Sequence, residues 1–160
     1  MEKSDQAADP HPPAVKPAEL KSSISPEELA EILRAAGYRA TMVEQDQLRR
    51  VQSAAHGVNF VVGFGNPLAG APDRYQDLSF YCPLTVRGEL PASLFDAWNS
   101  GRRFGRLFRQ GQFLVLSMDV LIAGGVTETG LRAHCEIWDR LIRELILSLQ
   151  QAARAEPQAA

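Results

Sequence analysis

Between Phe113 and Gln150 the hydrophobic period changes once, and that change constrains the fold more than any other feature of the chain. Leu114, Leu116, Met118, Val120 and Ile122 share one side of a period-two segment without a polar interruption, as a half-buried strand requires. After Gly124-Gly125-Val126-Thr127 the period becomes helical. Leu131, Cys135, Trp138, Leu141, Ile142, Leu145, Ile146 and Leu149 then form one apolar stripe over about 128–150. At about 1.5 Å per residue such a helix is roughly 35 Å long, against a radius of gyration of about 14 Å for a domain of this size. It must run the width of a sheet and bury its stripe there.

The remaining elements fit that frame. "SPEELAEILRAAGY" carries Ser25 as N-cap, Pro26 at the first helical position, Glu28 to complete a capping box and Gly37 as terminator. Alternation predicts strands over 49–55, 58–64 and 78–84, with "GNPLAGAPDR" as loop. A short helix at "PASLFDAWN" precedes strands over 103–109 and 112–122, joined at Gln110-Gly111. The expected class is α+β, an antiparallel sheet of about five strands in the order α-β-β-β-α-β-β-α. Residues 1–24, with four of the ten prolines and no apolar period, read as a disordered or polyproline-like arm. Residues 25–150 read as the folded domain and 151–160 as a disordered tail.

The face of the fourth and fifth strands turned away from the core is the most informative one. A hairpin closed at Gln110-Gly111 sets Phe108 opposite Phe113, Arg106 opposite Val115, Phe104 opposite Ser117 and Arg102 opposite Asp119. Asp119 is then read as a structural ion pair with Arg102. Phe104, Arg106, Phe108 and Phe113 become candidate partner-binding residues, because rings interleaved with guanidinium groups suit an interface. The competing reading has a helix covering the same face and the rings as core.

No catalytic constellation emerges. His11, His56 and His134 are scattered, and adjacent His134 and Cys135 cannot both point inward on a helix. Cys82 and Cys135 read as small buried hydrophobes in a reducing compartment. No metal-ligand spacing occurs, no cofactor is expected, and "GFGNPLAG" lacks the helix a dinucleotide loop needs. Gly124-Gly125 lacks the Lys-Ser/Thr of a phosphate loop, so it is read as a corner, with Thr127 capping the helix and Glu128 in its first turn. The start has no apolar core for a signal peptide and no run of membrane-spanning length follows, which leads to the expectation of a cytoplasmic protein without a membrane partner. The net charge is −2, and every lysine (Lys3, Lys16, Lys21) lies within the first 24 residues. Nucleic-acid binding through Arg102, Arg103, Arg106 and Arg109 stays as the alternative function.

"AWNSGRRFGRLF" followed by "LVLSMDVLIAGGVTETGLRAHCEIW" is similar to the YbjN family of bacterial proteins, labelled sensory transduction regulators. The similarity is most specific at Trp98-Asn99, Arg103-Phe104, Asp119 and Gly124-Gly125-Val126-Thr127, and it spans about 25–150. It implies a fold like that of type III secretion chaperones, and a non-catalytic protein-binding or regulatory module that engages a protein segment or itself, as a homodimer.

Overall fold

A computed structural model describes residues 17–155. Helix α1 (Pro26–Ala35) begins with the expected capping box. The Glu28 N–H donates to Ser25 Oγ at 3.2 Å, and the Ser25 N–H donates to the Glu28 carboxylate at 2.9 Å. Strands β1 (Thr41–Gln45), β2 (Leu48–Ala55) and β3 (Val58–Phe64) follow as a meander. A small ribbon of β4 (Pro67–Leu68) and β5 (Ala71–Tyr75) stands apart. Then come β6 (Asp77–Thr85), α2 (Ala92–Gly101), β7 (Arg106–Gln110), β8 (Phe113–Leu121) and α3 (Glu128–Ala155).

The fold is α+β, and its main sheet is antiparallel in the order β1-β2-β3-β6-β8-β7. It has six strands where five were expected. The additional strand is β1, joined to β2 through Asp46 (φ 52°) and Gln47 (φ 62°). Two consecutive positive φ values suit a tight hairpin turn, but glycine and asparagine, which usually signal it, are absent. "GNPLAGAPDR" is likewise a ribbon rather than a loop. Gly65 at its root is obligatory, since a Cβ there would lie 1.7 Å from Asp77 Oδ1.

One face of the sheet carries the core. In register across the sheet, Val51 faces Val62, Val62 faces Phe80, Phe80 faces Met118, and Cys82 and Leu107 both face Leu116. Against these pack Leu29, Ile32 and Leu33 of α1, Trp98 of α2, and Leu131, Cys135, Trp138, Leu141, Ile142 and Leu145 of α3. Trp138 meets Phe60 at 5.8 Å and Phe80 at 5.3 Å between ring centroids, each pair adding about 0.5–1.5 kcal/mol beyond its buried area. The long helix thus lies across the sheet, as its length requires. At its start, Thr127 Oγ1 accepts from the Gly130 N–H at 3.0 Å. Gly124 and Gly125 take φ 89° and 103°, which is the corner reading.

Ahead of α1 the chain is held by the fold: Lys21 bridges Val126 and Ile24 bridges Tyr75 through backbone hydrogen bonds. Arg74 donates to Ser23 Oγ and Ser23 O, both at 2.9 Å, and Ile24 is fully buried. Backbone pairing to distant segments holds these residues, which no local periodicity reports. At the other end α3 continues to Ala155. The rest of the arm (1–16) and of the tail (156–160) lies outside the described residues.

Candidate functional site

Among the described residues no helix covers the second face of the sheet. Its residues alternate with the core: Val61 faces Tyr81, Tyr81 faces Ser117, and Ser117 faces Arg106. In the neighbouring row Pro83 faces Val115 and Val115 faces Phe108. Val115 and Ser117 are 1% and 0% exposed, although no helix lies over them. Side chains from the flanking strands close over β8 instead: Tyr81 of β6 and Phe108 of β7 meet edge to face at 6.4 Å.

Beside this ridge runs a groove of about 790 Å³. Val61, Gly63, Ser79, Tyr81 and Val115 line it along the sheet, Pro67, Pro72 and Tyr75 on the ribbon side, and Phe113 on β8. The Phe64 and Tyr75 rings, 5.1 Å apart, hold the ribbon to the end of β3. Among the described residues the charged ones lining the groove are Arg49 and Arg50, with no carboxylate. Arg49 is paired with Glu27 and lies 4.0 Å from Asp73. Gly63 is a gap in the floor, where an added Cβ would meet nothing within 4 Å. A smaller hollow of about 560 Å³ lies at the β7 edge, lined by Asn99, Arg102, Phe104, Arg106 and Phe108, with Tyr81 shared between the two.

The expected site residues are therefore divided. Phe104, Arg106 and Phe108 border the edge hollow, and Phe113 borders the groove. Phe104 and Phe113 are 56% and 38% exposed. The hairpin register differs by two residues from the expected one: Gln110 pairs with Phe113, Phe108 with Val115 and Arg106 with Ser117. Gly111 (φ 58°) is the first of two turn residues, with Gln112 second. Glycine is the residue a two-residue hairpin of this kind needs at its first position.

That shift overturns the Arg102–Asp119 pair. Arg102 lies before β7 begins, donates to Glu144 of α3 at 3.0 Å, and sits 4.3 Å over the Trp98 ring. Asp119 instead accepts from Arg106 at 2.7 Å, diagonally across the hairpin, and from Ser79 Oγ at 2.7 Å. Phe104 is not in a strand at all. Its φ of 74° is an outlier for a bulky residue. The next residue explains the bend, because a Cβ on Gly105 would lie 2.9 Å from Leu141 Cδ1.

Residues that the sequence reading passed over complete the face. Tyr81 and Val61 were legible as the residues alternating with core positions. Pro72 and Tyr75 were not, since they reach the groove through an unforeseen ribbon. Asn99 has a distinct role: its side chain accepts from the Leu107 N–H and donates to the Leu107 carbonyl, both at 2.9 Å. It occupies the backbone N–H and carbonyl of Leu107, the second residue of edge strand β7, as a neighbouring strand would.

Among the described residues no cluster of three or more His, Cys, Asp or Glu could hold a metal ion. His56 pairs with Asp139 at 2.9 Å, and His134 Nδ1 donates to the Gly130 carbonyl at 2.8 Å. Cys82 and Cys135 are free and buried, and burial pushes both thiols up to about 11. No helix in the described residues is long and apolar enough to cross a membrane.

A family model, YbjN, described as "Putative bacterial sensory transduction regulator", matches residues 25–151. The chain belongs to the YbjN family. No curated protein matches it. Within this YbjN domain, the Trp98-Asn99 pair that carried the resemblance ties α2 to the stretch 103–107: Trp98 Nε1 donates to the Gly105 carbonyl at 3.3 Å, and Asn99 holds Leu107.

Proposed function

We propose that this YbjN domain is a non-catalytic, adaptor-like regulatory module that binds an extended protein segment on its open sheet face. The observation that carries the reading is the groove itself. Among the described residues its lining is aromatic, proline and aliphatic apart from a few polar groups, its charged side chains are arginines, and no helix lies over it. A surface of this composition suits a partner segment with apolar side chains and a negative charge. Phe113, Tyr81 and Arg50 serve the groove; Phe104, Phe108 and Arg106 extend the contact toward the β7 edge. The strained and exposed Phe104 fits that role, since backbone strain of this kind concentrates at functional positions. The family's description as a regulator agrees with a binding role.

Self-association belongs to the same reading. Leu147 on α3 and Leu121 at the end of β8 are large exposed apolar residues, and a second copy can cover them. Pairing through the start of β7 is disfavoured because Asn99 already occupies the backbone of Leu107. Light scattering of the purified chain tests for the homodimer.

The partner reading is tested by capture from the native host, comparing the unaltered chain with a Tyr81→Ser/Phe113→Ser variant whose melting is checked in parallel. A protein lost with that variant but kept with Leu147→Ser supports the sheet face. Equal capture by all three ends the reading. The nucleic-acid alternative has fewer free cations than the sequence suggested, since Glu144 engages Arg102 and Asp119 engages Arg106. Salt-dependent retention on heparin would restore it.

A further inference from the structure

The floor of the groove is bare along one row of the sheet. Gly63 of β3 faces Ser79 of β6, and continuing the Val51–Val62 register by one residue sets Arg50 beside Gly63. A hydrogen and a hydroxymethyl group thus stand where the next row carries Val61 and Tyr81. The result is a trough with Arg50 at one end, two strand spacings or about 10 Å from Ser79. Strands β2, β3 and β6 are each flanked by strands on both sides, so their paired backbone offers little to a ligand. What lies on this floor meets it with an apolar body.

The Arg50 end differs in kind. Its sheet neighbours are Val43 on β1 and Gly63 on β3, and neither brings a charge. Glu44 of β1 faces Arg49, and successive strand residues point to opposite sides of the sheet. Glu27 and Asp73 also lie with Arg49. Among the described residues Arg50 is in no ion pair, and it is half-buried. One planar guanidinium matches one carboxylate, which it holds through two parallel hydrogen bonds. A phosphate dianion asks for more positive charge than this end supplies. The groove volume of about 790 Å³ is that of a small-molecule site, where an apolar lining carries a few placed polar groups.

We propose that the groove binds a small amphipathic monocarboxylate, with its carboxylate forked on Arg50 and its apolar body over Gly63 and Ser79, against Tyr75, Val61 and Tyr81. Bound there, the acid competes with a partner segment and so sets how much of the face is open to it. That regulatory consequence rests on the reading of this face as a peptide-binding surface; the acid site itself does not.

Titration of the purified full chain with decanoate tests the site, with decylammonium as a probe of the same body and opposite charge. Calorimetry should show saturable binding of one decanoate per chain, and amide NMR shifts should centre on Gly63, Ser79 and Tyr81. Arg50→Gln should weaken decanoate binding by about tenfold. Gly63→Val, which fills the trough at a position where an added Cβ meets nothing within 4 Å, should weaken it comparably while melting is retained. Equal binding of decylammonium overturns the proposal, as does unchanged affinity in either variant. Shifts centred on the exposed Leu121 and Leu147 overturn it too, since they mark unselective adsorption of the chain's apolar tail. No partner is present in this titration and no acid in the partner-capture experiment, so the two readings fall separately.

Discussion

Two adjacent residues, Phe104 and Gly105, show how one backbone bend serves packing and surface together. Gly105 lets α3 approach the sheet: a Cβ would stand 2.9 Å from Leu141 Cδ1 and 3.3 Å from Leu116 Cδ1. Both of those leucines are buried and have little room to retreat. Gly105→Ala should therefore cost about 1–3 kcal/mol, as overpacking does, measured as a lower denaturation midpoint. Phe104 behaves oppositely. Its φ of 74° is unfavourable for a side chain that is more than half exposed, and such positions cost of the order of 1–3 kcal/mol. Phe104→Gly should raise stability by about 1 kcal/mol while weakening partner capture. A variant that melts lower would show the ring to be packed rather than presented.

At the level of elements, the edge of the sheet depends on a helix. Strand β7 is terminal, and an open edge invites pairing with another chain. Asn99 of α2 closes it at Leu107 with a donor and an acceptor. Asn99→Ala leaves both backbone groups without that partner and should destabilise the fold by about 1–3 kcal/mol. Light scattering should also show concentration-dependent association into species larger than those the unaltered chain forms. Unchanged melting and unchanged mass would mean that water satisfies Leu107 equally well. The α2–β7 link also explains why Arg102 turns to Glu144. The helix ends on Gly101, and the following residue is delivered beside α3 before the strand begins.

Across the whole molecule, burial makes the fold sensitive to alkali. Burial first, then the Asp139 carboxylate, lifts the Tyr38 phenol from 10 to about 12, and burial lifts Cys82 and Cys135 from 9 to about 11. The folded chain holds these protons after the unfolded chain has released them. Stability should thus be unaffected by these groups below pH 9 and should fall between pH 9 and about 12. Denaturant titrations along that range check the slope, and Tyr38→Phe should flatten its upper part. A profile that stays level would mean that these groups titrate alike in both states. On the acid side, burial pushes Glu28 up. The Ser25 N–H, Lys21 and Arg74 outweigh it and hold the carboxyl below its ordinary 4.5, so the link from α1 to the N-terminal segment weakens as pH falls through that lowered value.

The local pattern determined the elements with strong periods or caps: α1 from Ser25 and Glu28, β8 and α3 from the switch at Gly124-Gly125, and the division of β7 and β8 into a core face and an outer face. Periodicity and capping are properties of neighbouring residues, so a sequence carries them directly. Tertiary structure decided the rest. The two-residue register shift depended on which turn position needed glycine, and together with the α2–β7 link it set Arg102 beside Glu144 and not Asp119. β1 and the β4–β5 ribbon lack marked local signals and exist through pairing, and the groove exists because the ribbon stands beside the sheet. Which side chains meet across the sheet depends on how distant segments pair, and no single stretch of the chain contains that information.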